Sequence, residues 1–252
     1  MLYSPTEIAL VGLIMTFGST VQGAVGFASG MIGVPLLVVS GFSLPEAATV
    51  NLVATSLQNV IGAWKLREHL ETRELVLPVA TRWLAVPAGV YLSVAVGTYL
   101  DPAESRQLIG VILLAIVLSI WGLHVAPRER LSIFWQVLAF LTSGLMLGFA
   151  SIGGPPMVLY VNSLTWSVDK SRGFLFFCSA TGLPIAAWMF WTLYGEKILP
   201  AALSTVVVMP VILVGLWIGL RVGHLLPKHL FRQIALTLIS LIAIGAIVSP
   251  YI

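Results

Sequence analysis

The sequence predicts an all-α polytopic membrane protein built as two inverted repeats, each a Gly/Pro-broken, hairpin-like segment followed by three transmembrane helices. Three observations carry this. Of the 252 residues, 58% are hydrophobic and only 9% charged, against about 25% charged in a soluble domain. Apolar stretches such as 75–100, 106–123 and 230–249 approach or exceed the roughly 20 residues that span a bilayer. The word GFAS occurs twice, at 26–29 and 148–151, each time inside an apolar run and followed by more Gly and Pro.

The chain opens on Ser4-Pro5-Thr6-Glu7. Ser can cap a helix, Pro suits its first position, and Glu can close a capping box. Ser43 to Glu46 and Asp101 to Glu104 repeat the form. No basic region precedes the first apolar run, so no removable signal peptide is expected. The first long apolar segment covers 8–39 and its counterpart 133–164, 32 residues each. A straight helix of that length would run about 48 Å, too long for one crossing of a core about 30 Å thick. A break at each GFAS, turning the segment back on itself, resolves the mismatch.

Further pairs recur at similar offsets. The GFAS words lie 122 residues apart, Trp64 and Trp188 124, and Gly97 and Gly223 126, as do Arg106-Gln107 and Arg232-Gln233. This series in order reads as duplication, with residues 1–125 the first membrane repeat and 126–252 the second.

Charge decides the number of crossings. If each long segment crosses once, the 13 Lys and Arg divide 7 to 6. If each goes in and returns, they divide 11 to 2, with only Arg106 and Lys197 on the minor side. The second split is the one a positive-inside topology produces. Each repeat then holds five elements, an odd number, so the second is inverted and both termini lie outside a plasma or bacterial inner membrane. Inverted repeats with interrupted helices are a common secondary-transporter architecture. Trp64, Trp121, Trp135, Trp166 and Trp217 fall beside basic loops, where an interfacial belt belongs.

Broken backbone at membrane depth survives only inside protein or along a wet cavity. The two breaks should therefore meet. The short limb after each would begin with free N–H groups and a positive dipole end, which favour an anion. Ser29 and Ser151 add hydroxyls, and Gly30, Gly33, Gly153 and Gly154 allow close approach of a ligand or of a neighbouring helix. Pro35, Pro155 and Pro156 read as early helical positions after the bend. Asn51, Thr55, Gln58 and Asn59 share one helical face, which serves as ligand or as interhelical glue. Gln22 can join it, and Cys178, Ser179 and Thr181 form the thinner equivalent in the second half. These give the candidate substrate-binding residues Gln22, Ser29, Gly30, Gly33, Asn51, Thr55, Gln58, Ser151, Gly153, Gly154 and Ser179. Arg82, inside an apolar run, reads as a snorkelling side chain or, with Arg172, as a gating cation at the inner mouth.

Other chemistry is not indicated. All ten Asp and Glu fall at helix ends or in loops, which argues against an acidic proton relay or carboxylate cation site. The four His lack metal-ligand spacing, and no catalytic or phosphate-loop motif occurs. No metal, cofactor or catalytic residue is expected, and an intramembrane enzyme is disfavoured. The one cysteine, Cys178, excludes an intramolecular disulfide. The +3 net charge reads as topology rather than nucleic-acid binding.

The doubled breaks, GAVGFASGMIGVP at 23–35 and GLMLGFASIGGPP at 144–156, together with the spacing from Ala47 to Trp64, resemble the TauE/SafE family over nearly the whole chain. Neither copy has the three consecutive glycines common in that family. The resemblance implies export of a small sulfur-containing anion, such as sulfite, sulfoacetate or a related sulfonate. Partners are then the anion, the lipid bilayer and a coupling proton or cation. A channel and a non-transporting scaffold subunit remain as alternatives; the scaffold reading expects a closed interior in which Asn51 and Gln58 pair with each other.

Overall fold

A computed structural model describes residues 2–122, 128–222 and parts of 233–248. The expected helix over 230–249, and the repeat partners Gly223 and Arg232, lie wholly or largely outside the described residues. Within them the chain is helical, with no strand beyond one isolated bridge between Arg128 and Leu164. The helices are α1 (Pro5–Val25), α2 (Ser29–Val39), α3 (Leu44–Lys65), α4 (Thr72–Tyr99), α5 (Pro102–Gly122), α6 (Ile133–Ala150), α7 (Gly154–Asn162), α8 (Val168–Tyr194) and α9 (Leu199–Val222).

The expected helix starts are in place. Glu7 accepts from the Ser4 backbone N–H at 2.8 Å, and Glu46 from that of Ser43 at 2.9 Å. Asp101 and Glu104 exchange N–H bonds, each at 2.8 Å. Each box satisfies donors that a helix start leaves open.

Both long apolar segments are broken and fold back. Ser29 opens α2 beside Gly18 and Gly33 lies beside Met15, so α2 runs antiparallel along α1. Ser143 on α6 donates to the Gly153 carbonyl at 2.5 Å, and Gln136 donates to the Tyr160 hydroxyl at 3.0 Å, which lays α7 back along α6. The short limbs, 11 and 9 residues, measure only about 16 and 14 Å, about half a crossing each.

The long helices pack through glycine. A Cβ on Gly23 would stand 2.6 Å from the Leu216 carbonyl of α9. Gly144 and Gly148 face the backbone of α4 at Arg82 and Val86 in the same way. Such contacts let α1 lie against α9 and α4 against α6 at backbone distance, the packing that replaces hydrophobic driving force in lipid. Outward-facing Leu13, Val76 and Leu84 are mostly exposed, as lipid contact requires. Four segments among the described residues are long and apolar enough to cross a membrane: Pro5–Ala24, Thr72–Tyr99, Ile133–Ala150 and Val168–Val222, the last containing both α8 and α9. α3 is excluded from that set by its polar face, yet it packs centrally against α8, where Gly62 meets the Phe176 ring.

Three interfacial tryptophans sit under cations. Arg67 lies 4.2 Å from the Trp64 ring centroid, Arg221 3.6 Å from Trp217 and Lys170 4.9 Å from Trp166.

Two local expectations change. The second GFAS does not open the break at its glycine: Gly148, Phe149 and Ala150 complete α6, and the break begins only at its last residue, Ser151. Pro35 is not an early helical position but lies seven residues into α2; Pro155 and Pro156 do lie in the first turn of α7.

Candidate functional site

The first break starts where Gly26 takes a left-handed conformation, φ 87°, and donates to the Gln22 carbonyl at 2.7 Å. Ala28, φ 101°, reverses the chain into α2. At the second break Ser151 takes φ 58° and donates to the Leu147 carbonyl at 2.8 Å. Left-handed Ala and Ser are uncommon and carry a small strain, so both breaks are held by their surroundings.

Those surroundings join the breaks to each other. Asn51 of α3 donates from its amide to the Ser151 carbonyl at 2.8 Å and to the Ser151 hydroxyl at 2.9 Å. A Cβ on Gly30, in the first turn of α2, would stand 2.7 Å from both the Asn51 amide nitrogen and the Ser151 carbonyl oxygen. Only glycine lets the first short limb touch the second break.

A cavity of about 50 Å³ opens at this junction. A water needs roughly 10–15 Å³ in such a measure, so there is room for a few waters or one small ion. From the first half it is lined by Gln22, Gly30, Asn51, Thr55, Asn59 and the backbone at Gly26 to Ala28. From the second come Ser151, Gly153, Gly154 and Ser179. Gly30, Gly154 and Ser179 keep some exposure, whereas Asn51 and Thr55 are buried. Gln22 donates to the Asn59 amide oxygen at 3.1 Å, and Thr55 donates back to the Asn51 carbonyl at 2.7 Å.

Arg82 of α4 completes the lining. It does not snorkel, being 2% exposed. Its guanidinium donates to the Cys178 carbonyl of α8, its Nε has no hydrogen-bond partner, and its other terminal nitrogen faces Gly153, where a Cβ would come within 2.7 Å. The ion pairs among the described residues join His69 to Asp169 and Lys170 to Glu71 and Glu74, so none reaches Arg82.

Four candidates stand off the cavity. Ser29 faces Gly18 and approaches the Asn51 amide oxygen at 3.5 Å. Gly33 packs against Met15. Gln58, fully buried, donates to the Ala54 carbonyl at 2.8 Å rather than to Asn51, and its side-chain oxygen has no partner. Arg172 does not line the cavity; it lies against Gly26 and donates to the Gly23 carbonyl at 2.8 Å. An arginine from the opposite half thus lies at each break: Arg172 bonds the Gly23 carbonyl before the first, and Arg82 faces Gly153 at the second while bonding Cys178 of α8. Sequence reasoning missed the apolar lining, Phe27, Met31, Leu147 and Met157, for which composition offers no signal.

The two limbs offer unlike donors. The first turn of α2 presents N–H groups at Ser29, Gly30 and Met31, whereas Pro155 and Pro156 have none to give. At the second break the positive charge comes from Arg82 instead.

No curated protein and no solved structure gives a significant match. The family model described as "Sulfite exporter TauE/SafE" matches residues 9–246. With nearly the whole chain covered, this multi-pass membrane protein belongs to the TauE/SafE family of transporters.

Proposed function

We propose that the protein is a secondary transporter that exports a small sulfur-containing anion, such as sulfite, sulfoacetate or a related sulfonate, by alternating access, with the anion held between the two breaks. The observation that carries this reading is Arg82, a buried cation that reaches the cavity without making an ion pair. A buried charge lacking a counter-charge is costly by several kcal/mol, and an anion in the cavity removes that cost. The α2 N–H groups, the Asn51 and Ser151 side chains and Ser179 supply polar contacts around it.

The inverted-repeat reading, 1–125 and 126–252, gives the motion. It is supported by the recurrence of element order: a long helix, a break and a half-length helix open each half, followed by three long helices in the first and, among the described residues, two in the second. The pairing of α1 with α9 and of α6 with α4 sets the first helix of each half against the fourth helix of the other. Rocking of these units would open the junction first to one side and then to the other. An inside-negative potential drives anion exit by about 2.3 kcal/mol per charge per 100 mV, so export needs no buried carboxylate for a coupling ion.

The test is counterflow of labelled sulfite in proteoliposomes. Saturable exchange, accelerated by unlabelled sulfite on the far side, supports the transporter. Flux that neither saturates nor shows counterflow points to an anion channel. No flux of any sulfur oxyanion overturns the reading in favour of a scaffold subunit.

A further inference from the structure

We infer that the cavity takes its anion in a singly charged form, as bisulfite or a monosulfonate, and discriminates against dianions; this rests on the cavity being the substrate site. The argument is one of charge. Among the described residues lining the cavity, Arg82 alone is ionised at neutral pH, since a guanidinium does not lose its proton there. The remaining polar lining is amide, hydroxyl and backbone. The helix ends add no net charge: each break starts a short helix with a positive end but also finishes α1 or α6 with a negative one, and these partial charges, about half a unit each, oppose. One buried positive charge therefore stands to be balanced.

A monoanion cancels it. A dianion leaves a full negative charge in a space of about 50 Å³ with no second cation beside it, which restores the burial penalty with the opposite sign. Arg172 is not part of the lining; it packs against Gly26 and donates to the Gly23 carbonyl. The cavity volume acts in the same direction, favouring a compact headgroup. Of the three proposed substrates, sulfite qualifies through its protonated form, a monosulfonate at any pH, and sulfoacetate, doubly charged near neutrality, does not.

Sulfite exchanges its last proton near neutrality, so its binding acquires a pH dependence that belongs to the ligand. The titratable group that faces Arg82 from α8 is the Cys178 thiol. The residues that α1, α2, α3, α6 and α7 turn toward the cavity, among them Gln22, Met31, Asn51, Leu147 and Met157, do not titrate.

The experiment is competition against counterflow of labelled sulfite, from about pH 6 to about pH 8.5, with methanesulfonate, sulfate and sulfoacetate as competitors. Methanesulfonate is expected to compete equally across the range, and sulfate and sulfoacetate hardly at all. Sulfite itself should weaken by about tenfold per pH unit once its monoanion becomes the minor form. Cys178→Ala should leave these profiles unchanged. Arg82→Lys, which keeps the charge and loses the fork, should retain the preference with weaker binding. Sulfate competing as well as methanesulfonate, or sulfite binding that is flat with pH, overturns the charge inference and leaves the anion site standing. Competition by none of the anions overturns the reading beneath it.

Discussion

The amide of Asn51 spends both its hydrogens on Ser151, one on the carbonyl at 2.8 Å and one on the hydroxyl at 2.9 Å. A side chain from the second long helix of the first half thereby satisfies the turned backbone of the other half. Asn51→Leu removes both donors and strands a buried carbonyl, which costs about 1–3 kcal/mol. The expected result is a lower unfolding temperature in detergent together with lost counterflow. Asn51→Asp should fold better than the Leu variant when protonated, yet block anion uptake at neutral pH by placing a negative charge in the cavity that Arg82 also lines. Unchanged uptake by the Asp variant would remove Asn51 from the anion's path.

Gly153 is the point of the second break that Arg82 faces. A Cβ there would stand 2.7 Å from a guanidinium nitrogen and 2.8 Å from the Ser143 carbonyl. Gly153→Ala should displace the guanidinium and lower sulfite affinity at least tenfold, measured as the concentration that half-saturates counterflow. Gly97→Ala is the control: nothing lies within 4 Å of its Cβ position. It should leave transport intact and raise stability by up to about 1 kcal/mol, the helix preference of Ala over Gly.

The two left-handed residues of the first break predict opposite signs. Ala28→Gly relieves a conformation that costs an L-residue about 1–2 kcal/mol and gives up one buried methyl worth about 0.8 kcal/mol. A net gain of a few tenths to about 1 kcal/mol is expected in thermal unfolding. Gly26→Ala forces φ 87° on a residue with a Cβ and sets that Cβ 3.2 Å from the Arg172 side chain. It should destabilise and slow transport, and a neutral result there would show that the break rearranges freely.

The serines at the breaks separate as well. Ser151 lines the cavity while Ser29 packs behind it against Gly18. Ser151→Ala should weaken anion competition several-fold, and Ser29→Ala should leave it near the parent value. Equal effects of the two would argue that neither hydroxyl touches the anion.

Orientation has an independent check. With Cys178→Ala as background, a cysteine at Ser4 should react with an impermeant thiol reagent added outside intact cells. Labelling only after permeabilisation would place the N-terminus inside and reverse the charge-based topology.

Much of this was legible in the letters because length and charge are blunt constraints. A 32-residue apolar run must break, and Glu7, Glu46 and Glu104 announce helix starts by position alone. The breaks themselves were half legible. GFAS marks a true interruption at Gly26, but at Gly148 the same letters serve helix packing, where glycine clears the α4 backbone at Val86. The second break comes at Ser151 to Gly153, so equivalent points of the two breaks, Ser29 and Gly154, lie 125 residues apart rather than 122. A helix face is likewise coarser than a contact. Asn51, Thr55 and Asn59 reach the cavity while Gln58, on the same stripe, bonds its own helix. Arg82 was misjudged in depth because its burial is set by α6 and α8, which local sequence does not contain.

The crossed arginines carry a consequence for how the protein is made. Synthesis runs from the N-terminus, and segments tend to settle as they emerge. Arg82 precedes the second break in the chain, whose Gly153 it comes to face. For the first break the order is reversed: its arginine, Arg172, is translated more than a hundred residues later. Through that interval the Gly23 carbonyl is unclaimed and Arg82 lacks the Cys178 carbonyl it will hold. The first half alone therefore leaves both the Gly23 carbonyl and the Arg82 guanidinium without the partners that α8 brings.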